Sequence, residues 1–237
     1  MEIKEQSGLR AVLADVELPR MAMIRQKFPR DGIEDVAAYL MEKLDREDLR
    51  SRIKPGMRVV LTGSSRKIAN MPLILRELAD YVRAQGAHPY IIPAMGSHGG
   101  ATAEGQREIL ESYGITEEAC RCPIFSSMET VQVGSLSNGD EVRVDRFAYE
   151  ADAVIVVGRI KAHTAFRGAY ESGLVKMMAI GMGKREGADS LHRAGFQWMG
   201  ERLPQYAKVI FDHTNIIFGV GTIENEFDQT CRIEVLP

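Results

Sequence analysis

The chain has 237 residues, 45% of them hydrophobic and 27% charged, the mixture of a globular core and not of a disordered tail. A formal net charge of −3 and an aromatic share of 7%, with Trp198 the single tryptophan, leave no electrostatic or stacking footprint for nucleic acid and no polybasic patch for a membrane surface. No apolar run approaches the roughly 18 to 20 residues that a membrane-spanning helix needs, and the opening MEIKEQSGLR is too polar for a secretory signal.

Strand and helix signals alternate, which predicts an α/β fold: a layered, Rossmann-like domain with a mostly parallel sheet flanked by helices. Asp35 to Ile53 carries apolar residues at helical spacing (Val36, Leu40, Leu44, Leu49). Pro55-Gly56 breaks the chain before a short buried strand, Met57 to Thr62. Met71 to Gln85 reads as an amphipathic helix stopped by Gly86. Pro89 to Ala94 is the next strand, and its two prolines place it near a sheet edge or shorten it. Thr102 is a suitable N-cap for a helix that reaches Tyr113, with Gly114 to end it.

The middle of the chain changes character. Glu129–Gly134 and Glu141–Phe147 alternate apolar with polar around Ser137-Asn138-Gly139-Asp140, which predicts an inserted β-hairpin. Cys120, Cys122 and Cys231 are odd in number, and the first two are too close for a usual zinc ligand pair, so they read as reduced thiols of a cytoplasmic protein. Ala153 to Val157 (AVIVV) is the strongest buried-strand signal. Helical stretches follow at Leu174–Ile180 and Pro204–Phe211, then strands at Asn215–Ile223 and Thr230–Leu236.

Chemistry concentrates where strands end. In open α/β sheets ligands gather at the carboxyl ends of the strands. His98 follows PYIIPA within Gly96-Ser97-His98-Gly99-Gly100, and His163 follows AVIVV in the same relation. Two such loops on adjacent strands could face one pocket, although a loop histidine beside glycines is often only a turn residue. His88 reads as structural and His213 as solvated. Lys176 interrupts an apolar run, so its amine either snorkels outward or sits in a pocket with a lowered pKa, where it can act as a nucleophile or attachment point. The Gly-rich Gly181–Gly187 could cradle a phosphate, but it matches neither standard phosphate-loop pattern. His192 lies 192 − 176 = 16 residues beyond the lysine.

Ser65-Arg66, Gly96-Ser97-His98, His163 through Lys176 with Ser172-Gly173, and His192 together resemble the nickel-dependent (nickel-pincer) lactate racemases, from about Arg58 onward. The wording of GRIKAHTAFRGAYESGLVKMMAIGMGKREGA is most similar to the uncharacterised branch of that family. The resemblance implies a racemase or epimerase of a lactate-like 2-hydroxy acid. Lys176 would hold a nicotinate-derived mononucleotide carrying nickel, with Ser172 and Gly173 beside it, and His192 would supply the nitrogen ligand to the metal. His98 and His163 would be the acid/base pair, and Arg66 would bind the substrate carboxylate. Hydride would pass to the tethered nickel-pincer nucleotide, and the enzymes that make the cofactor would be transient partners.

Three departures stand out against the family. Gly63 replaces an Asp three residues before the arginine, Val175 replaces an arginine, and the step from His163 to Lys176 is longer. The family also carries a second, closing domain, so residues 1–237 are expected to be one N-terminal, cofactor-bearing domain. Two alternatives remain open at this point: a zinc-type hydrolase or lyase built on His98, His163 and His192, and a nickel- or nucleotide-binding module without turnover.

Overall fold

The computed structural model describes residues 13–17, 19–193 and 195–237. A five-stranded sheet lies at the centre, formed by β1 (Arg58–Gly63), β2 (His88–Pro93), β5 (Ala153–Arg159), β6 (Ile216–Glu224) and β7 (Thr230–Leu236) in the order β2-β1-β5-β6-β7. The first four run parallel and β7 pairs antiparallel with β6. The sheet is thus mixed but mostly parallel, with helices on both faces, as the alternating pattern predicts. The predicted hairpin also forms, as β3 (Thr130–Ser135) and β4 (Glu141–Asp145), a separate two-stranded sheet. Among the described residues no helix is long and apolar enough to cross a membrane.

Period-two alternation along the central strands divides the core in two. Val59, Leu61, Ile91, Ile155 and Val157 face one side, where α1 (Val36–Leu44) and α3 (Met71–Ala84) bury Leu40, Leu44, Ile74, Leu75 and Leu78. Val60, Ile92, Val154 and Val156 face the other, covered by the hairpin, α8 (Lys184–Arg193) and α9 (Met199–His213). Because β5 is buried on both faces, its continuous β-branched run is what a central parallel strand requires. β2 lies at the sheet edge, in keeping with its two prolines, and its Ile91 makes a backbone bridge to the chain beyond: its N–H donates to Pro123 O and its carbonyl accepts from Phe125 N.

Several boundaries differ from the sequence reading. The helix expected over Asp35–Ile53 breaks after Leu44, where Asp45 leaves helical geometry, and resumes as the one-turn α2 (Glu47–Arg50). Leu44 and Leu49 stand five residues apart, so one uninterrupted helix would not set both on the same stripe. α4 (Ala103–Ser112) starts at the expected cap, Thr102 Oγ1 accepting from Gly105 N at 3.0 Å. The one-turn helices α5 (Glu117–Cys120) and α6 (Arg146–Tyr149) carry no periodic signal of their own. The last helix begins at Met199, before Pro204, and Pro204 lies within its second turn. Leu174–Ile180 is helical, but as the single turn α7 (Leu174–Lys176) running into a wider π-turn at Met177–Gly181, closed by Met182 N to Met177 O at 2.8 Å. Such turns concentrate at functional sites.

Candidate active site

Three loops leave the carboxyl ends of β1, β2 and β5 on the same edge of the sheet. They carry Arg66, His98 and His163. β2 and β5 are not neighbours, as the sequence reading had them; β1 lies between, so the arginine loop rises between the two histidine loops. Lys176 enters from the end of α7, half-buried beside these loops. It does not snorkel freely: burial first, then the Arg66 and Lys161 charges, push its pKa down from the ordinary lysine value.

The histidines respond to the same charges. His98 is exposed as a whole residue, yet partial desolvation of its ring and the charges of Arg66 and Lys176 lower its pKa. His163 is lowered by partial burial, then by Lys176 and Lys161, against a smaller opposite pull from Glu171. These mutual effects bring Arg66, His98, His163 and Lys176 into one electrostatic neighbourhood that is rich in cations. Both imidazoles are therefore held neutral at neutral pH, the form that can accept a proton.

Local contacts fix the His163 loop. Glu171 accepts from His163 N at 2.9 Å and from Gly168 N at 3.3 Å, and Arg167 reaches both Glu171 and the His163 carbonyl. The His163 ring lies against Phe166, centroids 4.3 Å apart. Its Nδ1 accepts from Ala165 N at 3.1 Å, which places the proton of the neutral ring on Nε2. The His98 ring has no hydrogen bond among the described residues. His192 is exposed on the last turn of α8; its link to the group is the Phe196 ring, 6.2 Å from His192 and 6.3 Å from His163 by centroids.

Ser172 and Gly173 form the entry to α7. Gly173 has φ +78°, ψ −148°, which a residue with a side chain rarely adopts, and a Cβ there would meet Ile160 Cγ1 at 3.3 Å. The glycine thus sets the angle at which Lys176 is presented. Gly63 is crowded in another way: a Cβ would fall 2.9 Å from Leu110 Cδ2, so a larger residue three positions before Arg66 requires the Leu110 side chain to shift.

Two expectations are corrected. Gly181–Gly187 is not an open phosphate cradle, because α8 begins at Lys184 and the glycines are used for close packing; a Cβ at Gly183 would meet Ala179 O at 2.6 Å. The three-histidine zinc site does not form either: among the described residues no three His, Cys, Asp or Glu side chains converge to hold a metal ion. Cys120 and Cys122 are buried, and burial raises their pKa values to about 11 and about 12, so neither is a nucleophile.

Sequence reasoning missed Glu171 and Glu224. Glu224, at the end of β6, accepts from Ala69 N at 2.7 Å and pairs with Arg159, tying down the loop that carries Arg66. An acidic residue closing a buried strand was a usable signal for Glu224; Glu171 gains its role only once its loop folds back.

Fold and site together define an α/β domain with a cationic, two-histidine cluster at the carboxyl ends of its parallel strands. A family described as the lactate racemase N-terminal domain matches residues 12–202, and the chain belongs to that family. In structure the chain is similar to the lactate racemase apoprotein from Thermoanaerobacterium thermosaccharolyticum, with a TM-score of 0.59 and 14% identity over 89% of this chain. The match spans 55% of that protein's length, about half. No curated protein sequence matches the chain.

Proposed function

We propose that this chain is the cofactor-bearing part of a racemase or epimerase acting on a lactate-like 2-hydroxy acid. The observation that carries the reading is Lys176: a half-buried amine with a depressed pKa, set among cations and flanked by two neutral histidines. A lysine paired with a carboxylate would be a structural cation. One whose named neighbours, Arg66 and Lys161, are both cations is poised to lose its proton and form a covalent bond.

These residues fit the family's nickel-pincer nucleotide. Lys176 would tether the nicotinate-derived mononucleotide beside Ser172 and Gly173, and His192 would offer its imidazole to the nickel, a donor suited to that metal. When bound, that group supplies the hydride acceptor. The remaining work belongs to the protein. Arg66 binds the substrate carboxylate through its planar fork. In the state described, His163 presents a proton at Nε2 while the His98 ring keeps a free lone pair, so His98 is placed to take the hydroxyl proton first. For His163 to accept a proton in the opposite direction, its ring proton must move from Nε2 to Nδ1, which frees the Nε2 lone pair and breaks the contact with Ala165 N. Two imidazoles serve the two faces of a planar keto acid, as racemisation requires.

Co-expression with cofactor-synthesis enzymes, followed by intact-mass measurement of wild type and Lys176→Ala, tests the reading. A covalent mass addition on the wild type that Lys176→Ala lacks is the expected result. An adduct retained by Lys176→Ala removes the tether role, and zinc without an adduct would overturn the proposal.

A further inference from the structure

Lys184 is the most deeply buried cation described in the molecule, with no exposure of its side chain, and the proposed chemistry makes no use of it. Its ammonium donates to Pro93 O at 2.6 Å and to Gln106 Oε1 at 3.0 Å, and it lies 3.0 Å from Asp145 Oδ2, itself fully buried. Two carbonyl oxygens accept from the ammonium, and the Asp145 carboxylate balances its charge as an ion pair. Burial pulls the Lys184 pKa down and the Asp145 pKa up, while each opposes that shift in the other. Lys184 adopts this place with φ +52°, an unusual backbone for a side-chain-bearing residue.

Gln106 is the second part of the arrangement. It is fully buried in α4, and while its Oε1 faces Lys184, its Nε2 donates to Gly96 O at 2.8 Å and to His98 O at 3.3 Å. The amide therefore joins the ammonium to the backbone of the His98 loop. Two further bonds lock the same layers together: Gly96 N to Gly181 O at 3.1 Å, and Asp145 N to Met182 O at 2.6 Å. In the sequence, Lys184 stands midway between Lys176 and His192, eight residues from each (184 − 176 and 192 − 184).

We propose that Gln106 and Lys184 are positioning residues: they hold the His98 loop against the segment that carries Lys176 and His192, and so fix the distance from the acid/base imidazole to the tethering amine. The functional meaning rests on the roles proposed above for His98 and Lys176, but the mechanical claim does not. Gln106 is the specific element, because the Lys184–Asp145 pair alone would hold α8 to the hairpin without reaching His98.

Hydrogen exchange and NMR on the unloaded chain test the mechanical claim. Gln106→Met keeps the volume and removes both donors. Exchange across residues 95–99 is expected to accelerate by about tenfold or more while β5 remains protected as in wild type. The His98 titration midpoint is expected to rise toward the ordinary value, as the ring moves freely relative to Arg66 and Lys176. If Gln106→Met does not fold, Gln106→Glu keeps an acceptor for Lys184, loses the same donors and is read in the same way. Uniformly faster exchange in loop and core alike, or an unchanged loop and midpoint, overturns the proposal and leaves Gln106 a plain packing residue. On loaded protein, the variant should keep the Lys176 adduct and lose turnover in kcat with KM little changed. Absence of the adduct from wild type would sink the racemase reading while the exchange result stands by itself.

Discussion

At the scale of single residues, positive charge dominates the surroundings of His98. Arg66 and Lys176 both depress His98, and removing either cation makes protonation of the ring easier. NMR titration should therefore place the His98 and His163 midpoints below about 6.5, and Arg66→Gln should move the His98 midpoint upward. A midpoint above the ordinary value, or one indifferent to Arg66→Gln, would contradict the arrangement. His98, His163 and Lys176 are legible in the sequence for concrete reasons: each histidine follows a β-branched or proline-bounded run with glycines at the break, and the lysine breaks an apolar stretch. Lys184 is not legible. Nothing in GMGKREGA separates a buried lysine from a solvated one, because its burial depends on Asp145 and Gln106 in distant elements. Glu171 is hidden for another reason: its partners lie within its own loop, and nothing in the sequence fixes how that loop folds back.

At the scale of elements, the glycines decide how helices meet strands. Gly173→Ala forces a side chain into a backbone region reserved for glycine and toward Ile160, at a cost of about 1–3 kcal/mol. Thermal denaturation should show that loss, and labelling of Lys176 by an amine-reactive reagent should change with it, since α7 starts at the altered residue. Gly63→Asp drives its Cβ into Leu110 of α4, and overpacking of this kind costs about 1–3 kcal/mol. Adding Leu110→Ala makes room, so the double variant should be more stable than the sum of the single changes by about 1 kcal/mol in urea titrations. Strict additivity would mean that the contact does not exclude the carboxylate. Element type is legible for the long periodic segments and for β5. The π-turn and the start of α8 are not, because glycines at 181 and 183 signal a loop while tertiary packing uses them for close approach.

At the scale of the whole molecule, the same imidazoles link folding to pH. Their pKa values are lower in the folded chain than in the unfolded one, so below about pH 6.5 the unfolded state binds protons first and stability falls until the folded midpoints are passed. Urea unfolding of His98→Gln should lose less stability than wild type as the pH falls below about 6.5, the ordinary histidine value. An equal loss in both would remove His98 from the linkage. The layered, mostly parallel architecture is legible because alternating strand and helix signals have few other solutions; the antiparallel β7 is not, since periodicity carries no direction. The edge strand β2 has one more consequence. Residues 89, 91 and 93 point their backbone nitrogens away from β1, but two of these are prolines and Ile91 already donates to Pro123 O. The outer margin of the sheet thus presents no vacant donor to a passing strand, and the chain is protected on that flank against growing into a larger sheet with its own copies.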